Sequence, residues 1–289
     1  MRVAIFGVGG SMGRESARAI ENDPGLELVC GVDPRLGGTS LEGVLDPTQK
    51  LDDSSSSSLR PIFGSVDELD STAIEVCLDF TVASAAFDNA LYCARRNLNL
   101  VIGTSGLTSE QLDTLRLEFG TSTGRCLVIP NFALGAVLMM TFAEIAARWM
   151  DQAEIIELHH DRKLDSPSGT AIATASSMTG LARSNRASNT PVMERGDIDK
   201  QIPGGQEFKE TIAGARGAPG PNGVRIHSVR LPGLIAHQEV VFSSRGESLT
   251  IRHDSYDRVS FMPGVLLAIK STSGLMEPLS VGLESILGI

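Results

Sequence analysis

The sequence predicts an α/β chain of two domains: an N-terminal open, parallel sheet wound with helices, then a C-terminal α+β domain with a mostly antiparallel sheet. Three observations carry this. Up to residue 129, strand-length apolar runs alternate with helix-length segments, the order that builds an open parallel sheet. Beyond residue 210 the pattern becomes apolar/polar alternation punctuated by glycine, the mark of antiparallel strands. The length, 289 residues with 42% hydrophobic content, allows two real cores.

Residues 2–6 read as a strand that runs into Gly7-Val8-Gly9-Gly10-Ser11-Met12-Gly13 and a helix at 14–22. Strand, glycine turn and helix form the opening of a Rossmann-type unit. The glycines allow a tight turn, close approach to a pyrophosphate, and close helix–sheet packing. Met12 breaks the strict G-x-G-x-x-G fingerprint, while the spacing G-x-x-G-x-x-G is kept at Gly7, Gly10 and Gly13. The next strand, 26–32, ends at Asp33, 20 residues after Gly13, at the position of an acid that holds ribose hydroxyls; that role is favoured over a turn or helix-cap aspartate before Pro34. Arg35, two positions on, is placed to meet a 2′-phosphate. Residues 37–60 are polar and include the serine run 54–58, a surface loop by composition.

Strands follow at 62–63, 74–80, 98–102 and 126–129, with a helical turn at 66–69 and helices at 83–96 and 108–120. Thr108 or Ser109 caps the last of these. In an open parallel sheet, ligands bind at the carboxyl ends of strands. Phe80-Thr81, Gly103-Thr104-Ser105 and Pro130-Asn131-Phe132-Ala133 all stand at such ends. An apolar helix at 137–150, rich in Met and Ala, reads as core or interface packing.

The stretch from Glu157 to Ala171 concentrates the chemistry. It contains two of the five histidines, a lysine, and a loop that ends where a helix should begin. Residues 153–158 read as a strand. Ser166-Pro167-Ser168 supplies a cap and a proline at the first turn of a helix that continues through 170–178. First-turn amides such as those at Gly169 and Thr170 have no partner within an ideal helix and would stand at the positive end of its dipole, which is expected to make an anion site. With His159, His160 and Lys163 just upstream, the result is a cationic cradle for a carboxylate or phosphate. Strand alternation would send His159 and His160 to opposite faces, so either the chain bends or only one meets the ligand. Strand-like pieces follow at 211–213, 224–231, 237–243 and 248–254, then a helix at 261–275. His227, His237 and His253 share no ligand-like spacing with the pair and read as packed or solvated. Arg225 and Arg230, on the same strands, are candidates to reach the site.

The string E-L-H-H-D-R-K-L-D-S-P-S-G-T-A resembles the signature E-x-H-H-x-x-K-x-D-x-P-S-G-T-A of bacterial dihydrodipicolinate (4-hydroxy-tetrahydrodipicolinate) reductases, with every fixed position met. The resemblance covers nearly the whole chain. Residues 79–81 resemble the family's D-F-T. Gly103-Thr104-Ser105 and 130–133 resemble its G-T-T-G and P-N-F-S contacts, with Ser105 in place of Thr and Ala133 in place of Ser. The family often has Arg directly after the ribose-binding acid, where this chain has Pro34, so the choice between NAD and NADP stays open.

The resemblance implies nicotinamide-dependent reduction of a cyclic dicarboxylate imine to tetrahydrodipicolinate, on the lysine and diaminopimelate route. It implies cofactor contacts at Gly7, Val8, Gly9, Gly10, Ser11, Met12, Asp33, Gly103, Thr104, Ser105, Pro130, Asn131, Phe132 and Ala133. It further implies that His160, Gly169 and Thr170 hold substrate carboxylates, with Lys163 as the expected proton donor and His159 as the second acid/base candidate. A lysine among other cations in a partly dry site is expected to release its proton readily at neutral pH. The implied domains are 1–132 for the nucleotide, with 263–289 packing back on it, and 133–262 for substrate binding and assembly into a homotetramer. Two rivals are another amino-acid-pathway dehydrogenase of the same fold and a non-catalytic nucleotide-binding homologue. The complete signature string argues against the first, and the presence of Lys163 and Gly169-Thr170 against the second.

Other function classes are disfavoured. A net charge of −10 argues against a general nucleic-acid binder. No apolar run approaches a membrane span, and glycines interrupt the first apolar run at once, so a cytoplasmic location is expected. Cys30, Cys77, Cys93 and Cys126 form no C-x-x-C pair and read as reduced core thiols, with no metal site.

Overall fold

The computed structural model describes residues 1–46, 59–104, 106–181, 201–202, 206–207 and 210–289. Ser105, the serine run 54–58 and the polar stretch 183–200 lie outside the described residues. In chain order the first elements are β1 (Arg2–Phe6), α1 (Ser11–Glu21), β2 (Glu27–Val32), β3 (Thr39–Ser40), α2 (Leu41–Leu45), β4 (Pro61–Phe63) and β5 (Val76–Asp79). Next come α3 (Ala83–Arg95), β6 (Asn99–Ile102), α4 (Ser109–Thr121), β7 (Cys126–Val128), α5 (Leu134–Ala146), β8 (Gln152–His159) and α6 (Gly169–Ser177). The remainder holds β9 (Gln201–Ile202), β10 (Gln206–Glu207), β11 (Ala218–Pro219), β12 (Arg225–Arg230), β13 (Ala236–Ser244), β14 (Glu247–Ser255), α7 (Met262–Thr272) and β15 (Leu279–Val281). They form two compact units, one of Met1–Leu134 with Arg258–Ile289, the other of Gly135–Asp257.

The first unit is built on an eight-stranded sheet of order β15-β7-β6-β5-β1-β2-β4-β3. Every pairing is parallel except that of the edge strand β3 with β4. The inner strands are continuous apolar runs because helices cover both faces: Val3 to Phe6, Val76 to Leu78 and Leu100 to Ile102 are fully buried. α1 begins at Ser11, three residues before the start expected, because Gly10 already takes the extended cap conformation. α4 starts with a reciprocal cap: Thr108 Oγ1 accepts from the Gln111 amide and Gln111 Oε1 from the Thr108 amide.

The second unit carries a five-stranded sheet of order β11-β12-β8-β13-β14. It is antiparallel but for one parallel pairing, β12 with β8. One face, with Ala153, Ile155, Ile226, Val240 and Phe242, packs on Met139 and Ala143 of α5 and on Ala171 and Ala175 of α6. The alternate residues Ile156, Leu158, Val229 and Val241 lie on the opposite face, half-buried and outside that core. α5 is core-packed on one side, as expected, but also turns Leu138, Phe142 and Ile145 outward. Residues 211–213 are not a strand: the Glu210 carboxylate accepts from the amides of Gly214 and Arg216 and turns the chain there. Among the described residues no helix is long and apolar enough to cross a membrane.

Candidate active site

Two constellations hold the residues singled out by sequence, one in each unit. The first lies at the carboxyl ends of β1, β2, β5, β6 and β7. Gly7 has φ +77° and donates its N–H to Val32 O at 2.7 Å, closing the turn after β1. A Cβ on Gly13 would lie 2.3 Å from Gly7 O, so only glycine lets α1 approach the strand this closely. α1 has no side-chain cap at Gly10, which leaves the amides of its first turn available to an anion. Val8 is fully buried, so it offers only backbone.

Asp33 is at the end of β2, nearly buried. Its Oδ2 accepts from the Gly9 amide and its Oδ1 from the Arg35 amide, both at 3.0 Å. The Arg35 side chain is 79% exposed, with its Nε 3.5 Å from Asp33 Oδ1. Asp79, at the end of β5, accepts from the amide and hydroxyl of Thr81 and from Asn89. Burial pushes its carboxyl up, against the pull of these bonds. The Thr104 hydroxyl donates to Thr81 O at 2.8 Å, tying the β5 and β6 loops together. Phe80 and Phe132 meet edge to face against Gly103. Phe132 and Ala133 are buried, and Asn131 Oδ1 accepts from the Ala133 amide, so this loop presents Pro130 and Asn131 outward. An uncapped helix start behind a glycine turn, with an acid at the end of β2, fits a dinucleotide.

The second constellation is the signature stretch. β8 persists through His159, which places His159 on the core-facing side with Ala153, Ile155 and Glu157, while His160 lies just past the strand. Glu157 is fully buried and every part of its carboxylate is used. Oε1 accepts from Arg230 Nη2 at 2.8 Å and from the Ser168 amide at 3.3 Å. Oε2 accepts from Arg230 Nη1 at 2.9 Å and lies 2.5 Å from His159 Nδ1. Burial alone would raise this carboxyl, but the hydrogen bonds from His159 and Arg230 outweigh it and bring it down to about 2. Arg230 also donates to Asp165 O at 2.8 Å, which fixes the loop before α6.

The cap of α6 is Ser168, whose hydroxyl accepts from the Ala171 amide. Pro167 therefore precedes the cap and is not in the first turn, as its position after Ser166 had suggested. Gly169 is the first helical residue, and a Cβ there would meet nothing within 4 Å. Lys163 Nζ donates to both oxygens of Asp165, at 2.8 and 2.7 Å. Its charged partner is a carboxylate, not the cations expected around it, and Lys163 in turn holds the Asp165 carboxyl below its ordinary range.

Five buried polar side-chain atoms among the described residues lack a partner, and three belong here: His160 Nδ1, Arg230 Nε and Gln238 Oε1. Gln238 pairs across β13 with Glu157 and donates to Thr174 of α6. Each of these atoms calls for a polar partner that the described residues do not supply. Arg225 instead donates to Gly217 O. His227 pairs with Glu154 and His237 with Asp254, apart from this group, and burial pushes His253 down. Among the described residues no cluster of His, Cys, Asp or Glu is arranged to hold a metal.

Sequence reasoning gave Glu157 no role and named Arg230 only as a candidate beside Arg225, without its partner. A signal for Glu157 existed: it shares the inward register of Ala153 and Ile155, and a charge at a core position needs a partner. Its partner is 73 residues away, brought in by the parallel pairing of β12 with β8, which no local pattern announces.

Two family models match the chain, "Dihydrodipicolinate reductase, N-terminus" over residues 1–132 and "Dihydrodipicolinate reductase, C-terminus" over 135–287. The 4-hydroxy-tetrahydrodipicolinate reductase of Listeria monocytogenes serotype 4b (strain CLIP80459) is 43% identical over 288 residues, covering 99% of this chain and 100% of the relative. That of Streptococcus gordonii is 43% identical over 287 residues, covering 99% of each. The solved structure of a dipicolinate-bound dihydrodipicolinate reductase from Paenisporosarcina sp. TG-14 aligns with TM-score 0.79 at 40% identity, over 99% of both chains.

Proposed function

The chain belongs to the dihydrodipicolinate reductase family, and from that premise we propose how its residues divide the work. The reaction is the reduction of 4-hydroxy-tetrahydrodipicolinate to tetrahydrodipicolinate, in lysine and diaminopimelate biosynthesis, with a pyridine nucleotide as reductant. One observation carries the assignment of roles. A single carboxylate, Glu157, holds His159 on one oxygen and the amide of the α6 cap on the other. An acid/base group and an anion-binding helix start are thereby fixed by the same residue.

Once the 4-hydroxyl has left as water, a reduced nicotinamide bound at the first constellation would supply hydride to ring C4 of the conjugated imine that remains. The backbone from Gly7 to Met12 receives the pyrophosphate, Asp33 the ribose, and the loops at 103–105 and 130–133 the rest of the cofactor. Gly169 and Thr170, with His160, bind the substrate carboxylates at the start of α6. The dipicolinate bound by the Paenisporosarcina relative is an anion of this kind. Lys163 donates the proton that the reduced ring takes up, and His159 is the second acid/base group. The working form is a cytoplasmic homotetramer.

Asp33 favours NADH, because its charge repels a 2′-phosphate, while the exposed Arg35 side chain partly restores NADPH. Both coenzymes are used, with NADH equal or better. The test is a steady-state assay on freshly prepared 4-hydroxy-tetrahydrodipicolinate with each coenzyme. An NADPH preference of about a hundredfold, roughly 2.7 kcal/mol, overturns the role of Asp33. Absence of turnover with either coenzyme overturns the reductase reading.

A further inference from the structure

Glu157 is an acid on the core-facing register of an apolar strand, fully buried and committed to three neighbours at once. A core ion pair with Arg230 seldom stabilises more than apolar residues of the same size would, so stability alone does not account for an acid here. Its third partner suggests more. Glu157 is ionised at any working pH, and an ionised carboxylate can only accept hydrogen bonds. The nitrogen facing it at 2.5 Å, His159 Nδ1, must therefore carry a proton. Arg230 grips both carboxylate oxygens and prevents the group from rotating away, while the Ser168 amide fixes it against the start of α6. The other charged groups near this cluster are Lys163 and Asp165, which pair with each other.

We propose that Glu157, clamped by Arg230, is a positioning residue: it holds His159 in the tautomer with the proton on Nδ1, leaving Nε2 as the atom that exchanges a proton with the substrate. The same arrangement sets the imidazole at a fixed place relative to the anion site, because both are bonded to one carboxylate. The orienting group does not itself change protonation. The proposal rests on the reading of His159 as an acid/base group of the reductase.

The first measurement needs no variant. ¹⁵N NMR of the full chain, at a pH where imidazole is neutral, distinguishes the two tautomers, and the spectrum of His159→Gln assigns the resonances. His159 protonated on Nδ1 is expected; His159 protonated on Nε2 overturns the proposal. The second measurement is kinetic. Glu157→Gln is expected to lower kcat about 10–100-fold, part of the roughly 10²–10⁴ that acid–base catalysis supplies, with substrate KM moving less than kcat. In a His159→Gln background the same change should leave kcat within about threefold, because the two residues act as one unit. An equal fall in both backgrounds makes Glu157 a structural residue only and overturns the proposal. If Glu157→Gln does not fold, Glu157→Asp keeps the buried charge that Arg230 needs but draws the carboxylate back from its partners, His159 included, and the same kcat loss is expected. If the wild-type chain does not reduce the substrate, the reductase reading falls and the tautomer measurement still decides the role of Glu157.

Discussion

Lys163 donates to Asp165, two residues on, so a bound substrate must compete with that carboxylate for the ammonium or share it. If Lys163 is the proton donor, Lys163→Ala should lower kcat by about 10²–10⁴. Substrate KM should rise less than kcat falls, since Gly169, Thr170 and His160 still hold the anion. Nucleotide affinity should barely change. Steady-state kinetics at verified saturation decide the matter: an unchanged kcat moves the proton to His159 or water. Glu157 allows a second test, on stability. Its folded pKa, about 2, is depressed from 4.5, so its contribution is fully present above pH ~4.5 and is lost as pH falls toward 2. A displacement of this size is worth about 3 kcal/mol. Chemical denaturation of wild type and Glu157→Gln should therefore show a gap that is constant at neutral pH and narrows below pH ~4.5. A gap independent of pH over that range refutes the pairing. At this scale one local motif brought His159, Lys163 and Gly169 to notice together, whereas Arg230 could be named only beside Arg225, because its place depends on strand pairing far along the chain.

The elements that position the site were legible because their punctuation is local. Ser168 and Gly169 start α6, Thr108 and Gln111 start α4, and the glycines end β1, each through bonds within a few residues. What local signals did not give was the start of α1 at Ser11 and the turn at 211–213. In the first, a glycine served as cap where a polar side chain was the sign to look for. In the second, apolar Ile212 imitated a strand that Glu210 folds into a turn. The glycine turn gives the test at this scale. Gly13→Ala drives a methyl against Gly7 O and Val8 Cα, at 2.3 and 2.8 Å, and backbone cannot move aside cheaply. A loss of about 1–3 kcal/mol is expected for this overpacking, together with weaker NADH binding. Thermal unfolding with and without NADH measures both, and an unshifted Tm would mean that α1 separates from β1 without cost.

For the whole molecule, apolar surface decides the expectation. Ile156, Leu158, Val229 and Val241 line one half-buried face of the second sheet, and Leu138, Phe142, Ile145 and Trp149 are exposed along and just beyond α5. Apolar surface left on two sides of one small unit usually meets other protein surfaces. We expect a homotetramer built on the sheet of residues 133–262. Light scattering at micromolar concentration should give four times the chain mass of 30.6 kDa, and a monomer mass refutes it. The division into two units follows from the change of period in the sequence. The return of the last segment to the first unit was implied by the family resemblance, not by any pattern of its own.

That return bears on synthesis. β15 pairs with β7, and the Cys126 amide donates to Pro278 O, yet residues 135–257 are made between them. At ordinary elongation rates that interval lasts on the order of ten seconds. Throughout it Cys126, Leu127 and Val128, all buried in the finished sheet, form an open strand edge on the nascent chain, the kind of edge that pairs with whatever strand arrives first. The unit whose synthesis starts first is thus the last to close, and its exposure to misfolding is set by the ribosome's pace through the other.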